Sequence, residues 1–347
     1  MQAAGLLSRA ALEIDAEQVT AQIVHDLREV VHGELRRRGG VVAVSGGIDS
    51  AVVVALCARA LGPEAVLAVL MPERDSAGDT LALSRLVADS VGVPSLVEEI
   101  SEPLEAIGCY RRRDEAIRAA LPEYTPEWGI KIVLPGLLGS DRLRLFSLVA
   151  RPPGGEERTV RLPAAAYSAI VAATNFKQRT RKMLEYFHAD RLGYAVVGTP
   201  NRLEHDQGFF VKGGDGLADV KPIAHLYKTQ VYRLAEHLGI PAEIRERPPT
   251  TDTYSLPQSQ SEFFFSIDHE TLDLCLYARN EGLSPEAVAP AVGLSAEDVR
   301  RVFDDIDGKR RATRYLHLPA RLLTGPGAAA PGAIGEAGAA SGAQPSP

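Results

Sequence analysis

The stretch VVAVSGGIDSAVVVALCARAL, residues 41–61, decides the fold of this chain. It begins with a short β-branched run that is typical of a buried strand, turns through two glycines, and continues at helical spacing. In α/β proteins a ligand commonly lies at such a turn, outside the carboxyl end of a strand. We therefore predict a strand over 41–44, a ligand-binding turn over 45–50 and a helix over 49–61.

The flanking sequence repeats this alternation of strands and helices. Further buried strands are predicted over 65–71, 95–100 and 194–198, and helices over 16–38, 80–91, 175–191, 228–238 and, in several pieces, 270–306. Alternation of this kind favours right-handed βαβ units and a parallel sheet. The expected fold class is α/β, with additional helices toward the C-terminus.

Two segments depart from this pattern. Residues 142–149 and 157–162 alternate in hydrophobicity around the turn PPGG at 152–155, which predicts a β-hairpin inserted between core elements. Of the 24 residues from 324 to 347, 18 are Ala, Gly or Pro, a composition that predicts disorder. We expect one domain over 1–323, with an insertion over 102–165, and a disordered tail over 324–347.

The composition is that of an ordinary soluble globular protein, with 45% hydrophobic and 24% charged residues among 347. A formal net charge of −7 supplies no broad positive field, so bulk nucleic-acid binding is not expected. The sequence contains no apolar window long enough for a membrane-spanning helix and no recognisable signal peptide. Three scattered cysteines offer neither a disulfide framework nor a zinc spacing, so we expect a cytoplasmic protein.

The turn SGGIDS, 45–50, has the features of a phosphate cradle. Its glycines let the backbone approach a ligand closely, and its N–H groups, hydroxyls and helix N-terminus favour an anion. The carboxylate of Asp49 would repel phosphate unless a divalent cation lay between them, which predicts Mg²⁺. Neither GxxxxGK[ST] nor GxGxxG occurs, so P-loop and Rossmann dehydrogenase functions have no support. The alternative is a structural turn capped by Asp and Ser.

A second polar segment, GTPNRLEHDQGFFVKGGDGLADVKPIAHLYKTQ at 198–230, follows the last predicted strand. In an open α/β sheet it would lie at the same edge as the glycine turn. Lys212 and Lys228 can neutralise charge that builds on a triphosphate during cleavage. Glu204 can complete a magnesium shell begun by Asp49. Taken alone, charged residues among glycines also fit a solvated loop.

These motifs resemble those of a known family. SGGIDS resembles the pyrophosphatase loop of the N-type ATP pyrophosphatases, and its combination with NFKQRTRKM at 175–183, the segment at 198–230 and RPPTTD at 247–252 resembles NAD synthetases. The resemblance covers roughly 19–318, with the motifs in the family's order. It implies a three-layer α/β/α architecture with a parallel twisted sheet, of the adenine nucleotide α-hydrolase-like type.

The resemblance also implies an activity. Members adenylate the carboxylate of deamido-NAD with ATP and release pyrophosphate, after which ammonia attacks the acyl-adenylate to give NAD and AMP. Since ammonia is itself the nucleophile, no Ser-His-Asp or Cys-His arrangement is required. The alternative is a related amide ligase that acts on a different carboxylic acid, because the insertion at 102–165 could remodel the acceptor pocket.

The family's site residues carry over onto matching positions. Those implied for ATP are Ser45, Gly46, Gly47, Ile48, Asp49, Ser50, Thr199, Lys228 and Thr250. Those implied for deamido-NAD are Arg179, Lys212 and Asp219, and those implied for Mg²⁺ are Asp49 and Glu204. The expected catalytic residues are Asp49, Glu204, Lys212 and Lys228. In place of the family's C-terminal His-Lys pair the chain has TRYLHLP at 313–319, where Arg314 or His317 is the candidate substitute.

The resemblance implies a homodimer whose dinucleotide site reaches across the interface. Because SGGIDS begins at position 45, it leaves no room for a glutamine-hydrolysing N-terminal domain, so free ammonia or a separate amidotransferase is expected as the nitrogen source. Residues 283–303 scan like a helix-turn-helix, but the second helix has no net positive face, which favours a packing element. Residues 111–113, all Arg, are predicted to lie on the surface.

Two further functions are compatible with a nucleotide-binding turn. A nucleotide sensor would bind ATP without forming AMP. A sulfur-transfer tRNA enzyme would need a pair of thiols and a basic face, neither of which the sequence indicates. Both are therefore less favoured than an amide ligase.

Overall fold

The fold is taken from a computed structural model that describes residues 7–138, 145–251, 253–321 and 323. Its strands are Gly40–Ala43 (β1), Val66–Leu70 (β2), Ser95–Val97 (β3), Gly129–Val133 (β4), Ser147–Arg151 (β5), Arg158–Arg161 (β6) and Ala195–Val197 (β7). Its α-helices are Ala16–Arg28 (α1), Ile48–Leu61 (α2), Thr80–Ser90 (α3), Ser101–Ala106 (α4), Cys109–Arg118 (α5), Ala164–Leu192 (α6), Arg202–Gln207 (α7), Lys228–His237 (α8), Ala242–Arg245 (α9), His269–Asn280 (α10), Pro285–Val292 (α11) and Ala296–Thr313 (α12).

The central sheet has the strand order β3-β2-β1-β7, and every pair in it is parallel. Val41 of β1 lies opposite Leu67 of β2 on one side and Val196 of β7 on the other. The parallel strands predicted from their β-branched runs are therefore confirmed, although β2, β3 and β7 are shorter than predicted and β1 begins one residue earlier. The carboxyl ends of β1 and β7 meet at one edge, because neighbouring parallel strands point the same way.

Successive residues of the strands face two separate cores. Val42, Ala68 and Val197 pack among residues of α1, α2 and α8. Their neighbours Val41 and Val196 pack on the other face, against α4, α5 and α6. Because side chains alternate across a strand, burial of both sets requires a helical layer on each face. The predicted three-layer α/β/α architecture is confirmed.

A second, antiparallel sheet has the order β4-β5-β6. The hairpin of β5 and β6 was predicted, and the part of that prediction over 142–144 lies outside the described residues. β4 was not predicted, because its five residues GIKIV gave too short an alternation to distinguish it from a loop. Ile130, Ile132 and Leu148 pack against Ile170 near the start of α6. The insertion thus has a core of its own, joined to the main body by α5 and α6.

The C-terminal helices α10, α11 and α12 pack together over a further apolar cluster. Leu276, Val288 and Val302 are fully buried there, in contact with the part of the chain around Leu203 and Tyr227. This confirms the helices predicted over 270–306 and favours a packing role for the segment that scans like a helix-turn-helix. Within the described residues no helix has the length and apolar character to cross a membrane. The tail predicted at 324–347 lies outside the described residues.

Candidate active site

The SGGIDS turn lies at the carboxyl end of β1 and opens directly into α2. Its two serine hydroxyls hold the turn closed: Ser50 Oγ donates to the carbonyl of Gly47 (2.9 Å) and accepts from the backbone N–H of Ser45 (3.3 Å). Among the residues that the structure describes, no side chain caps the N-terminus of α2. Its first backbone N–H groups are thus available to an anion, as predicted from the sequence.

Gly46 is required by the shape of this turn. Its φ is +73°, a conformation that side chains other than glycine rarely adopt. A Cβ at this position would also lie 2.8 Å from Cβ of Leu83 on α3. Gly47 has φ −90°, and a Cβ there would meet only the Ser45 hydroxyl, at 3.4 Å. The two glycines of the motif therefore differ: the first is needed by the fold, and the second leaves space above the turn.

The second motif meets the first through Asp49. After β7 the chain enters α7 by a capping box, in which Asn201 Oδ1 accepts from the N–H of Glu204 (3.2 Å) and a Glu204 oxygen accepts from the N–H of Asn201 (3.1 Å). Asn201 Nδ2 then donates to Asp49 Oδ1 (3.1 Å), and Lys228 Nζ forms an ion pair with Asp49 Oδ2. The structure thus brings together three of the predicted catalytic residues, Asp49, Glu204 and Lys228.

Burial and neighbouring charges shift the pKa values of two side chains in this group, Glu204 and Lys228. Burial, and then the neighbouring Asp49 carboxylate, raise the pKa of Glu204 well above the usual range for a glutamic acid. Burial alone would lower the pKa of Lys228, but the carboxylates of Asp49 and Glu204 outweigh it and raise that pKa. The Lys228 side chain is 2% exposed and remains an ammonium. Two carboxylates and one buried ammonium, set beside the uncapped start of α2, are groups that could hold a polyanion and a small cation.

A cleft of about 510 Å³ lies over this group. Its lining includes most of the residues predicted for ATP and deamido-NAD, namely Ser45, Gly47, Ile48, Asp49, Ser50, Thr199, Lys228, Thr250, Arg179 and Lys212, together with Glu204, which was predicted for Mg²⁺. Gly46 and Asp219 are not part of the lining. Gly46 does not line the cleft because it packs closely against Leu83 of α3. The cleft collects side chains from β1, α6, α7, α8 and the segment after α9, which are far apart in the sequence.

Arg179 and Lys212 lie together at one end of the cleft. Arg179 Nε donates to the carbonyl of Lys212 (3.3 Å), and Lys212 Nζ donates to the carbonyls of Tyr315 (2.8 Å) and Leu318 (2.9 Å). The C-terminal turn Arg314–His317 is therefore fastened to the cleft by Lys212. Its Tyr315 and Leu316 line the cleft, whereas Arg314 and His317, the candidate substitutes for the family's His-Lys pair, do not.

Asp219 lies at the edge of the central sheet. Its carboxylate accepts from the N–H of Val196 in β7 (2.8 Å) and from the Tyr186 hydroxyl of α6 (3.2 Å). These contacts give it a clear structural role in joining α6 to the edge strand. The geometry within one chain adds no support for its predicted contact with deamido-NAD, which stays a prediction.

Several residues of the site were not found from the sequence. Asp273 of α10 is fully buried and accepts from the N–H groups of Lys228 (3.2 Å) and Thr229 (2.7 Å), so that it caps α8 from another element. Asn201 orients Asp49, and Gln260 Nε2 donates to Glu204 Oε1 (3.0 Å). Asn201 lies inside a quoted motif and its N-cap position could have been recognised. Asp273 and Gln260 act on residues distant in sequence, for which one sequence carries no signal.

A buried ionic cluster supports the far wall of the cleft. Lys177 Nζ contacts Glu73 (2.8 Å), Asp75 (2.7 Å) and the carbonyl of Thr253 (2.8 Å), and Arg113 pairs with Asp75. Arg113 is only 2% exposed, so the prediction that residues 111–113 lie together on the surface is wrong for it. A run of arginines is usually solvated, but a buried carboxylate on another element can hold one of them inside.

The fold and the site define a nucleotide-binding α/β protein with a charged catalytic cleft at the carboxyl edge of a parallel sheet. The family model for NAD synthase matches residues 19–120 and 159–313. The NH(3)-dependent NAD(+) synthetase of Mesorhizobium japonicum is 56% identical over 306 residues, which cover 88% of this chain and 96% of that protein. That of Thermotoga maritima is 38% identical over 255 residues, covering 73% and 85%. This chain belongs to the NAD synthase family, as its motifs predicted.

Solved structures support the fold. The NH3-dependent NAD synthetase from Campylobacter jejuni, in complex with the nitrate ion, superposes with a TM-score of 0.59 at 21% identity, over 90% of this chain and 100% of that one. The NMN synthetase from Francisella tularensis gives a TM-score of 0.58 at 18% identity, over 90% and 99%. At these identities the agreement concerns the architecture.

The glycine turn yields a first prediction. Gly46→Ala should lower the free energy of unfolding by about 1–3 kcal/mol, because the new side chain is strained at positive φ and meets Leu83. Urea denaturation followed by circular dichroism measures this. Gly47→Ala, in the same turn at negative φ, is the matched control and should unfold close to the wild type. Equal losses in the two variants would contradict the assigned turn.

The buried ionic cluster yields a second prediction. Lys177→Met should lower the free energy of unfolding at pH 7 by about 3–5 kcal/mol, because two buried carboxylates lose the ammonium they share, although one of them, Asp75, keeps Arg113. The exposed pair of Arg233 and Glu236 gives the control, since Arg233→Met should cost less than about 1 kcal/mol. Urea denaturation measures both.

The deficit of Lys177→Met should also depend on pH. Burial raises the pKa of Asp75, but Lys177 and Arg113 more than offset this and hold it below its usual range. The stability that this depression provides is therefore present above the unfolded pKa of about 3.9 and is lost as the pH falls through the folded pKa. The part of the deficit that comes from Asp75 should therefore persist from pH 7 to pH 5 and narrow only as the pH falls below about 4. A deficit of constant size would assign the loss to packing instead.

Proposed function

We infer that this chain catalyses the ATP-dependent amidation of deamido-NAD with ammonia, which gives NAD, AMP and pyrophosphate. The observation that carries this inference is the contact between the two family motifs, in which Asp49 of the glycine turn pairs with Lys228 of the second segment. Membership of the NAD synthase family, with ammonia-dependent relatives more than half identical, supports the reaction.

We propose that the terminal phosphates of ATP bind at the turn 45–50. The N–H groups at the start of α2 and the Lys228 ammonium supply positive charge there, and the Ser45 hydroxyl can donate. Thr199 and Thr250 border the same cleft and are proposed as further contacts with the nucleotide. The cleft volume of about 510 Å³ lies within the usual range for small-molecule sites.

The residues present fit Mg²⁺, which Asp49 and Glu204 would hold together with phosphate oxygens of ATP. Magnesium is commonly bound by one or two carboxylates together with substrate phosphates, so no third protein carboxylate is needed. The raised pKa of Glu204 reflects burial and repulsion by Asp49, which a cation between the two carboxylates would relieve. When bound, the ion would offset negative charge on the phosphates.

The first half-reaction activates the acceptor. An oxygen of the deamido-NAD carboxylate attacks the α-phosphorus of ATP and forms the acyl-adenylate bond, while the bond from that phosphorus to the bridging oxygen breaks. Pyrophosphate leaves with the electron pair. The Lys228 ammonium, buried and fixed by Asp49, is placed to stabilise the charge on this leaving group at little cost in reorganisation.

The second half-reaction forms the amide. Ammonia, as the free base, attacks the acyl carbon, AMP leaves with the electron pair of the C–O bond, and one proton is released. The protein then has to hold the adenylate and exclude water, since water would return the acid. The aromatic side chains Phe209, Phe263 and Phe264 along the cleft suit this role.

We propose that Arg179 and Lys212 contact deamido-NAD, and we retain Asp219 from the family resemblance. Arg179 is exposed and shares a stripe of α6 with Met183 and Phe187, which are 62% and 57% exposed. A second copy of the chain on this stripe would form the homodimer and bring the dinucleotide site to the interface. The proposed domain runs over 1–323, with 102–165 as its insertion.

The remaining proposals concern the surroundings of the enzyme. Free ammonia or a separate amidotransferase supplies the nitrogen. Cys57, Cys109 and Cys275 are buried free thiols, which suits a reducing cytoplasm.

The reaction itself is the third prediction. Incubation with ATP, Mg²⁺, ammonium and deamido-NAD should form one AMP per NAD, with little ATP consumed when the acid is omitted. Asp49→Asn and Glu204→Gln should each lower kcat by about 100-fold or more, because each removes a carboxylate that would hold the Mg²⁺ ion. Glu236→Gln, an exposed change on the same helix as Lys228, is the control. AMP formed with another acid and not with deamido-NAD would replace the acceptor and keep the reaction class.

The homodimer is the fourth prediction. Light scattering after size exclusion should give twice the mass of one chain, and the double variant Met183→Glu, Phe187→Glu should give a single chain, because burying two new carboxylates opposes association. Ile107→Glu, at an exposed apolar side chain of another element, is the control and should stay dimeric. A wild-type protein that is monomeric at micromolar concentration would overturn the proposal.

A further inference from the structure

Between α9 and α10 the chain folds back on itself over residues 249–251 and 253–260, which we call the strip, and Thr250 and Gln260 are among its residues that line the cleft. Thr250, a proposed ATP contact, forms an isolated antiparallel bridge with Ser259, and the N–H of Gln260 donates to the carbonyl of Pro249 (3.2 Å). Thr251 also donates its N–H to the carbonyl of Gln258 (3.2 Å). These hydrogen bonds join the two sides of the strip, residues 249–251 and 258–260. A contact that fixes one side therefore also fixes the other.

Gln260 reaches from this strip to the proposed metal ligand. Its Nε2 donates to Glu204 Oε1 (3.0 Å), while Glu204 Oε2 accepts from the N–H of Asn201 (3.1 Å). Each carboxylate oxygen thus has one fixed partner, and the remaining lone pairs lie on a defined side of Glu204. Of these two partners only Gln260 is supplied by a distant element, since Asn201 belongs to the same helix cap as Glu204.

The strip is held by the antiparallel sheet of the insertion. Along β4, the N–H of Ile130 donates to Ser255 Oγ (3.0 Å), and the carbonyl of Ile130 accepts from the N–H of Leu256 (3.0 Å). The amide of Gln258 donates to the carbonyl of Ile132. The strip thus follows the edge of β4 that β5 leaves open.

The chain just after the C-terminal end of the strip makes two further contacts with β4 and the residue that follows it. The N–H of Leu134, just after β4, donates to the carbonyl of Glu262 (2.9 Å), and Lys131 Nζ pairs with the Glu262 carboxylate (3.1 Å). These contacts lie only two residues from Gln260. β4 and β5 fall within 121–158, between the two segments matched by the family model, so this support comes from a part of the chain that the model does not match.

We propose that Gln260 is a positioning residue that orients Glu204 for Mg²⁺, and that the sheet β4-β5-β6 holds Gln260 in place. This inference rests on the proposed function, in which Glu204 takes part in binding the metal with ATP. Partners that orient a metal ligand typically change metal affinity by about 10- to 100-fold when they are removed. Gln260 would act on the metal through Glu204, without touching ATP.

The test compares ATP binding with and without Mg²⁺. Calorimetry on the full chain gives the ATP affinity in excess Mg²⁺ and in EDTA, and the ratio of the two is the enhancement by the metal. Gln260→Met keeps the length and apolar stem of the side chain and removes its donor. It should reduce this enhancement by about tenfold, leaving ATP affinity in EDTA and the unfolding temperature unchanged. The Mg²⁺ concentration for half-maximal NAD formation should rise by a similar factor.

A second pair of variants tests the sheet. Lys131→Met removes the ion pair that fastens the strip and should reduce the enhancement in the same direction by a smaller factor, about twofold to threefold. Arg158→Met removes a comparable pair, with Glu123, from the opposite edge of the same sheet and should leave the enhancement unchanged. The contrast separates an effect on the strip from a general loosening of the insertion.

The outcomes are distinct. An unchanged enhancement in Gln260→Met, or an equal loss of ATP affinity with and without Mg²⁺, would overturn the positioning role. Equal effects of Lys131→Met and Arg158→Met would overturn the role of the sheet. If the wild type forms NAD but its ATP affinity is independent of Mg²⁺, the metal assignment fails and this inference with it. If the wild type binds ATP with the enhancement but forms no NAD, the proposed function fails while the positioning of Glu204 stands.

Discussion

The active site depends on the ion pair between Asp49 and Lys228. An ammonium as buried as that of Lys228 is stable only beside an opposite charge, and a carboxylate at the start of α2 needs a partner for the same reason. Asn201 adds a hydrogen bond to the other oxygen of Asp49. Through these contacts the ends of β1 and β7 and the start of α8 are fixed relative to one another, although Asp49 and Asn201 are 152 residues apart in the chain.

The supporting contacts follow the same physical rule on every side of the cleft. Asp273 caps α8, which carries Lys228, and Lys177 joins the loop after β2 to the segment after α9. In each case a buried charge on one element is paired or hydrogen-bonded by a group on another element. The two elements can therefore not shift relative to each other without breaking that contact. The chemistry proposed for the cleft requires this, because phosphate charge is stabilised best by groups that do not have to move.

The insertion is part of this support. Its sheet packs on α6 through an apolar core and offers the edge of β4 to the strip that carries Thr250 and Gln260. On the other side, Lys212 fastens the C-terminal turn, which places Tyr315 at the cleft. Nearly all the residues that line the cleft thus come from the segments that the family model matches, the insertion supports them from outside, and the C-terminal turn adds Tyr315 and Leu316.

The sequence by itself determined the parallel strands, the glycine turn and the residues of the floor, because strand periodicity, turn chemistry and phosphate binding are properties of short stretches. It determined the hairpin of β5 and β6 for the same reason. Only the tertiary structure decided that Arg113 is buried, that β4 exists, that Asp273 and Gln260 serve the site, and that Asp219 holds the edge strand. Each of these depends on a partner from a distant element, and the free energy of burying or orienting a polar group is set by that partner and not by its neighbours in the chain.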